Sequence, residues 1–242
     1  MFERIKKLFT ATDAPSSTPA TVAAEVLRLK GWAKEQGLDL KLEDAAPGKR
    51  HAALYSLQGL VEAKTWRMEG GPPLRDFVHG GELRFRSELG ILSSVSVVVM
   101  NRTLKNALEK RAFKLYTDSL QTTLDPKLPE EMRWLAIYPE EGWAGLPDAF
   151  WDRYAVLANR REHAQAWITP ELAEYLVGWP VTGPGPDTPI TMALLHARCY
   201  LRMEYRHRDT PTLVHAVRLF EKACQMALNH AAQSHSGFSE SD

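Results

Sequence analysis

Apolar and polar positions along this chain change period several times, and each change marks an element. Over residues 21–36, Val22, Val26, Leu29, Trp32 and Ala33 recur at helical spacing, and Gly37 stands where a helix would end. The period then drops to two. Leu38, Leu40 and Leu42 alternate with Asp39 and Lys41, and after the Pro47-Gly48 turn the stretch 50–68 holds enough apolar and aromatic residues for one or two further strands. Breaks at Gly70-Gly71-Pro72-Pro73 and Gly80-Gly81 precede the clearest strand, residues 82–89. There Leu83, Phe85 and the small Ser87 share one face, and Glu82, Arg84, Arg86 and Glu88 the other. The alternation predicts Leu83 and Phe85 buried in a sheet, with Glu82, Arg84 and Arg86 on its more polar face.

Residues 94–100 predict another strand, and Asn101 is placed to cap a helix over 101–116 that carries Leu104, Leu108, Ala112 and Leu115. Pro126, Pro129, Pro139 and Pro147 punctuate the middle of the chain. Between and beyond them, 132–138 predicts a strand, 147–158 a short helix presenting Phe150, Tyr154 and Leu157, and 160–167 a second helix. Thr169 and Pro170 suit the cap and first position of a helix that turns Leu172, Tyr175 and Leu176 inward. Gly183-Pro184-Gly185-Pro186 is the strongest internal boundary. Beyond it, residues 190–206 mix strand and helix signals, with Cys199, Leu201, Met203 and Tyr205 alternating against Arg198, Tyr200, Arg202, Glu204 and Arg206. A last helix begins at Thr210-Pro211 with Val214, Val217, Phe220, Cys224 and Ala227 as its stripe, and 232–242 is a polar tail.

These elements imply an α+β fold with a mixed or antiparallel sheet and several packed helices. Residues 21–231 read as one domain, with 21–125 and 126–231 as candidate halves, because the strand around 83–85 and the helix after it resemble the strand around 201–205 and its helix. The identity between them is too thin to establish a duplication, and a domain without repeat symmetry is the preferred reading.

Ahead of the domain, residues 1–20 are a basic amphipathic segment on a linker. In helical form Phe2, Ile5, Leu8 and Phe9 make one stripe, flanked by Arg4, Lys6 and Lys7. Such a stripe suits weak, peripheral contact with an anionic membrane surface, or packing on its own chain or a neighbouring subunit.

Composition narrows the classes. With 242 residues, 44% of them hydrophobic, and seven tryptophans, the chain can bury a core and is not a disordered protein. Thirty basic residues balance thirty acidic ones, so nothing drives general attraction to nucleic acid. A pI near 7.1 leaves little charge to keep copies apart, which favours a homo-oligomer. Two cysteines, Cys199 and Cys224, and an N-terminal pattern unlike a secretory leader lead to reduced thiols and a cytoplasmic address. No run approaches the ~18 consecutive apolar residues of a transmembrane helix.

Candidate chemistry is sparse. His196 with Cys199, and His207, His215, Cys224 and His230, offer metal ligands at poor spacing, so the cysteines read as small core residues and no metal or cofactor is expected. The acids Glu130, Glu131, Glu140, Glu141, Asp148, Asp152 and Glu162 lack the fixed separation of a catalytic pair and suit helix starts or solvated loops. After Glu162-His163 the position of a second zinc-binding histidine holds Trp167. No serine sits in a nucleophile elbow, and the Gly-rich stretches lack the order of a phosphate cradle. One cluster stands out around the two Gly-Gly breaks: Trp66, Arg67, Glu69, Arg75, His79, Glu82, Arg84 and Arg86. It reads either as a cleft lined by Arg75 and Arg84 or as a strand face laced with cross-strand ion pairs. Trp32, Trp134 and Trp151 are expected in the core, Trp143 and Trp179 in loops. The expected function is a non-catalytic domain that binds a protein partner or itself. The alternatives are an enzyme with its site at 66–86 and a peripheral membrane-associated structural component.

Overall fold

The computed structural model describes residues 19–42, 54–119, 128–206 and 209–236. The stripe of Phe2, Ile5, Leu8 and Phe9, together with His207 and the tail beyond 236, lies outside them. In chain order the elements are α1 (Pro19–Glu35), β1 (Asp39–Leu42), β2 (Tyr55–Val61), β3 (Lys64–Gly71), β4 (Gly81–Glu88), β5 (Ser96–Asn101), α2 (Arg102–Ser119), α3 (Glu130–Ile137), β6 (Glu140–Glu141), α4 (Asp148–Arg153), β7 (Tyr154–Ala158), α5 (Arg161–Trp167), α6 (Pro170–Val177), β8 (Ile190–Leu195), β9 (Arg198–Tyr205) and α7 (Thr210–Ser236). The fold is α+β. Among the described residues all nine strands join one antiparallel sheet in the order β1-β2-β3-β4-β9-β8-β5-β7-β6. Because β5 lies between β8 and β7, the stretches 21–125 and 126–231 interlock in a shared sheet.

One face of the sheet is apolar over most of its extent. Tyr55, Leu57, Trp66, Met68, Leu83, Phe85, Leu201, Met203, Met192 and Val99 point into it, and α1, α4, α5, α6 and α7 cover it. Phe220 of α7 meets Phe85 at 5.1 Å and Trp66 at 6.4 Å between ring centroids, and the Trp66 indole donates to Glu221 at 3.2 Å. Two glycines make room for this packing. Gly59 lies opposite Trp66 and Gly70 opposite Tyr55, and a Cβ at either position would fall 2.5 Å or 2.3 Å from the facing ring.

The second face is divided. Over β5, β7 and β8 it is apolar, with Val98, Met100, Leu157, Ala193 and Leu195 packed under Leu104 and Leu108 of α2, Met132 of α3, and Phe77 and Val78 of the β3–β4 connection. Over β2, β3, β4 and β9 the same face carries Gln58, Arg67, Glu69, Arg84, Arg86, Tyr200 and Arg202.

The strand at 82–89 has the predicted register: Leu83 and Phe85 are buried on the apolar face, and Glu82, Arg84 and Arg86 share the polar one. Several elements differ from expectation. Residues 132–137 belong to helix α3, with Tyr138 as its extended C-cap; its first turn holds Glu130 and Glu131, and it seats Met132 in the second apolar cluster. Residues 154–158 are not helical: all five are buried in β7, and a fully buried strand has no polar period to distinguish it from a helix. Asn101 ends β5, and its amide donates to Pro186 O at 2.9 Å while its oxygen accepts Ile190 N–H at 3.1 Å, so it clamps the loop before β8 instead of capping α2. Asp209 takes the capping role expected of Thr210, accepting Thr212 N–H at 3.1 Å. Thr169 caps α6 as expected, accepting Leu172 N–H at 3.3 Å. The α7 stripe buries Val217, Phe220, Cys224 and Ala227, whereas Val214 is only half-buried and Leu213, Ala216, Leu219 and Ala223 complete the interface. Trp32, Trp134 and Trp151 are half-buried at the margins, while Trp66 and Trp167 are the tryptophans sealed in the core.

Phe220→Ala is expected to cost about 3 to 5 kcal/mol, because it empties the space between Trp66 and Phe85. Chemical denaturation checks this, and an unchanged midpoint would place Phe220 outside the core.

Candidate functional site

The open half of the polar sheet face meets α3 in a groove of about 670 Å³. Its floor follows from the strand register. Glu69, Arg84, Arg202 and Thr191 stand in one row across β3, β4, β9 and β8, and Arg67, Arg86, Tyr200 and Ala193 in the next. Glu130, Glu131 and Trp134 of α3, with Leu74 of the β3–β4 connection, form the wall.

This register sets Arg84 directly opposite Arg202 and Arg67 opposite Arg86, arrangements of like charge that are unfavourable unless carboxylates intervene. Two buried carboxylates do so for Arg84 and Arg202. Glu82, with no exposed side-chain surface, lies 3.3 Å from Arg84 Nη1 and 3.1 Å from Arg202 Nε, and accepts Leu74 N–H at 2.7 Å. Glu131, whose side chain is 2% exposed, accepts from Arg75 Nε at 2.7 Å and from Arg202 Nη1 at 3.2 Å. Arg84 also donates to Pro72 O at 3.1 Å and lies 3.5 Å from Glu69. Arg67 pairs with Glu69 at 3.1 Å, and Arg86 with Glu88 at 3.2 Å, near solvent. Burial, then the nearby Arg75 charge, lowers the Arg202 pKa, against the opposing pull of Glu82 and Glu131. Arg84 Nε and Glu131 Oε2 are buried without a hydrogen-bond partner, and Glu82 Oε1 meets Arg202 Nε as an ion pair without hydrogen-bond geometry.

Of the residues singled out in the sequence, Arg67, Glu69, Arg84 and Arg86 share the groove, and Arg75 reaches its edge through Glu130 and Glu131. Trp66 contributes only at the floor's backbone level, because its indole points through to the opposite core. His79 lies outside the lining, and its backbone N–H donates to Glu204 at 2.8 Å. Arg202, Tyr200, Trp134 and Glu131 were not assigned to the cluster. The alternation at 198–205 marked Arg202 and Tyr200 as polar-face residues, but nothing local tells that β9 lies beside β4.

The other candidates are dispersed. His196 sits in the β8–β9 turn, whereas Cys199 points into the apolar core, where it and Cys224 are free and buried. Burial pushes the Cys199 thiol well above its ordinary value, and hydrogen bonding with Cys224 adds to the rise. Among the described residues no group of three or more His, Cys, Asp and Glu side chains is placed to hold a metal ion. Glu140 pairs with Arg102 and Lys105, each at 2.8 Å, and Glu141 with Arg161 at 2.8 Å, so these acids tie helices to the sheet margin.

No protein-family model and no curated protein matches the chain. Among solved structures, the crystal structure of the mycobacterial trehalose monomycolate transport factor A, TtfA, is similar, with a TM-score of 0.44 and 12% sequence identity over 84% of this chain and 95% of that one. At that TM-score the likeness carries no functional argument.

Glu131→Ala is expected to destabilise the fold by about 3 kcal/mol, since it removes the buried carboxylate that Arg75 and Arg202 share and leaves Arg202 with Glu82 and Arg75 with half-exposed Glu130, whereas Arg86→Ala should stay within about 1 kcal/mol. Equal effects in urea denaturation would mean that the buried cluster does not hold α3 to the sheet. Glu204, opposite Glu82 on β9, has its pKa raised by burial, against the His79 N–H and the nearby His79 and Arg206 charges. The folded protein keeps this proton to higher pH than the unfolded chain, so the stabilisation is present below the ordinary value of 4.5 and is lost as pH rises through the folded value. Glu204→Gln keeps an acceptor for His79 N–H and should remove the loss. Its melting temperature relative to wild type is therefore expected to climb from about pH 4 to about pH 7, and a flat or falling difference would contradict the assignment.

Proposed function

We propose that this protein is a non-catalytic protein-interaction domain that receives a partner polypeptide, or a second copy of itself, in the groove between the open sheet face and α3. One observation carries the reading: helices cover the whole of one sheet face and half of the other, and stop where α3 leaves a concave, arginine-lined surface over β3, β4 and β9. Its size falls within the range of ligand clefts, and arginine beside half-buried Trp134 and Tyr200 is the residue mix that anchors protein interfaces. The charged side chains on the floor are spent on one another and supply no nucleophile paired with a base, which sets the enzyme reading behind this one.

We place the protein in the cytoplasm, a reading supported by the free thiols of Cys199 and Cys224. No described helix is long and apolar enough to cross a membrane. Peripheral membrane contact through Phe2, Ile5, Leu8 and Phe9 stands as a separate proposal.

A photo-crosslinking amino acid placed at Arg67 or Arg86, on the groove rim, is expected to capture a polypeptide in the native host. The same probe at exposed Asn229 of α7, across the sheet, should not. Absence of adducts at both rim positions, or equal adducts at Asn229, would overturn the reading.

A further inference from the structure

We infer that the outer edge of β1 pairs antiparallel with the same edge of a second copy, in one register: Leu40 against the second copy's Leu40, and Asp39 against its Lys41. This surface is separate from the groove. β1 stands at one end of the sheet order, and among the described residues only β2 pairs with it. Alternate N–H and C=O groups of a strand so placed point away from its neighbour, where another strand can take them up.

The two ends of the sheet are built differently. At the far end β6 is two residues long, follows Pro139, and has both its carboxylates held by Arg102, Lys105 and Arg161. A strand that short, entered from a proline, gives an incoming chain little to pair with. β1 has four residues and no proline, and Leu42 is 65% exposed although it lies opposite fully buried Tyr55 on the apolar face. Asp39 and Lys41 occupy the other face, 2.9 Å apart and each with 57% of its side chain exposed.

The occupant and its register follow from that pattern. Two copies related by a two-fold axis perpendicular to the sheet keep their apolar faces on the same side, so residues of the same face stand opposite one another. The four residues of β1 allow four such centres. Centring on Asp39 sets two aspartates face to face, and centring on Lys41 two lysines; both are unfavourable. Centring on Leu42 leaves only that residue of β1 paired within the strand. Centring on Leu40 places Asp39 against Lys41 twice over and brings exposed Leu42 against the second copy's half-buried Leu38. Thirty basic and thirty acidic residues leave no net repulsion against the approach of a second copy. β2 separates the paired edge from the groove floor on β3, β4 and β9, and the axis leaves both grooves open on the same side of the joined sheet. Pairing over four residues is a small interface, so the dimer is reversible.

Sedimentation velocity of the full chain, from low to high micromolar concentration, is expected to show a monomer–dimer equilibrium. Asp39→Lys sets lysine against Lys41 twice, and Lys41→Asp sets aspartate against Asp39 twice, so each should weaken the dimer roughly tenfold or more. Both positions are exposed, and each variant should melt with the wild type, which a thermal scan verifies. Mixing the two variants should restore a dimer with one copy of each, and the exchange Asp39→Lys/Lys41→Asp within one chain should restore the homodimer. Such rescue cannot come from a damaged fold. A chain that stays monomeric, a dimer indifferent to both substitutions, or failure of rescue on mixing overturns the inference. So does a dimer lost in the Arg67→Glu/Arg86→Glu variant instead, which would place self-association in the groove. Capture of a host polypeptide from the groove rim tests the other site, and neither β1 substitution should alter it.

Discussion

Two carboxylates removed from water, Glu82 in mid-sheet and Glu131 in the first turn of α3, impose the constraint around which the polar side of this molecule is arranged. A buried carboxylate costs several kcal/mol unless guanidinium groups and N–H donors surround it. The register of β4 against β9 brings Arg84 and Arg202 face to face, which is itself unfavourable, and Glu82 between them turns two unfavourable burials into one compensated cluster. Glu131 extends the cluster to Arg75, and so ties a helix, two central strands and the β3–β4 connection together. The position of α3 on the sheet follows from that tie as much as from Met132.

That position decides where the core ends. On the apolar face no such choice arises, since α1, α4, α5, α6 and α7 cover side chains that are mostly hydrophobic from β2 to β7. On the other face apolar residues stop at Ala193 and Leu195, and the arginine rows begin one strand later. Helix α3 stands on this boundary, with Met132 in the apolar half and Glu130, Glu131 and Trp134 turned toward the charged half. A groove is the geometric result of a helix standing at the edge of an otherwise open sheet. Its floor is rigid because the strands that form it are pinned from behind by Trp66, Phe85 and Phe220.

The α+β class, the register of β4 and β9, the capped start of α6 and the core stripe of α7 were legible in the sequence, because each is written in local period or cap chemistry. The polar half of the groove was partly legible for the same reason: alternation around Arg84 and around Arg202 marks both as facing away from the core. The hairpins were not. The β2–β3 and β8–β9 turns are Glu62-Ala63 and His196-Ala197, all four residues at positive φ, and none is the Asn or Gly that would announce such a turn. Nor was β7 legible, since Tyr154, Val156 and Ala158 face one core and Ala155 and Leu157 the other, which erases the period of two.

Only the tertiary structure decided which charges meet. Local period assigns a residue to a face, but it carries no information about which strand lies alongside, and β4 and β9 are separated by more than a hundred residues before they pair. Burial of Glu82 and Glu131 depends on that pairing and on the docking of α3; in the sequence both have the appearance of solvated acids. What the sequence determined by itself was therefore the side of the sheet on which polar residues stand. Which of them became buried, compensated and gathered into a groove was set by strand order, because a charge's environment comes from neighbours in space and not from neighbours in the chain.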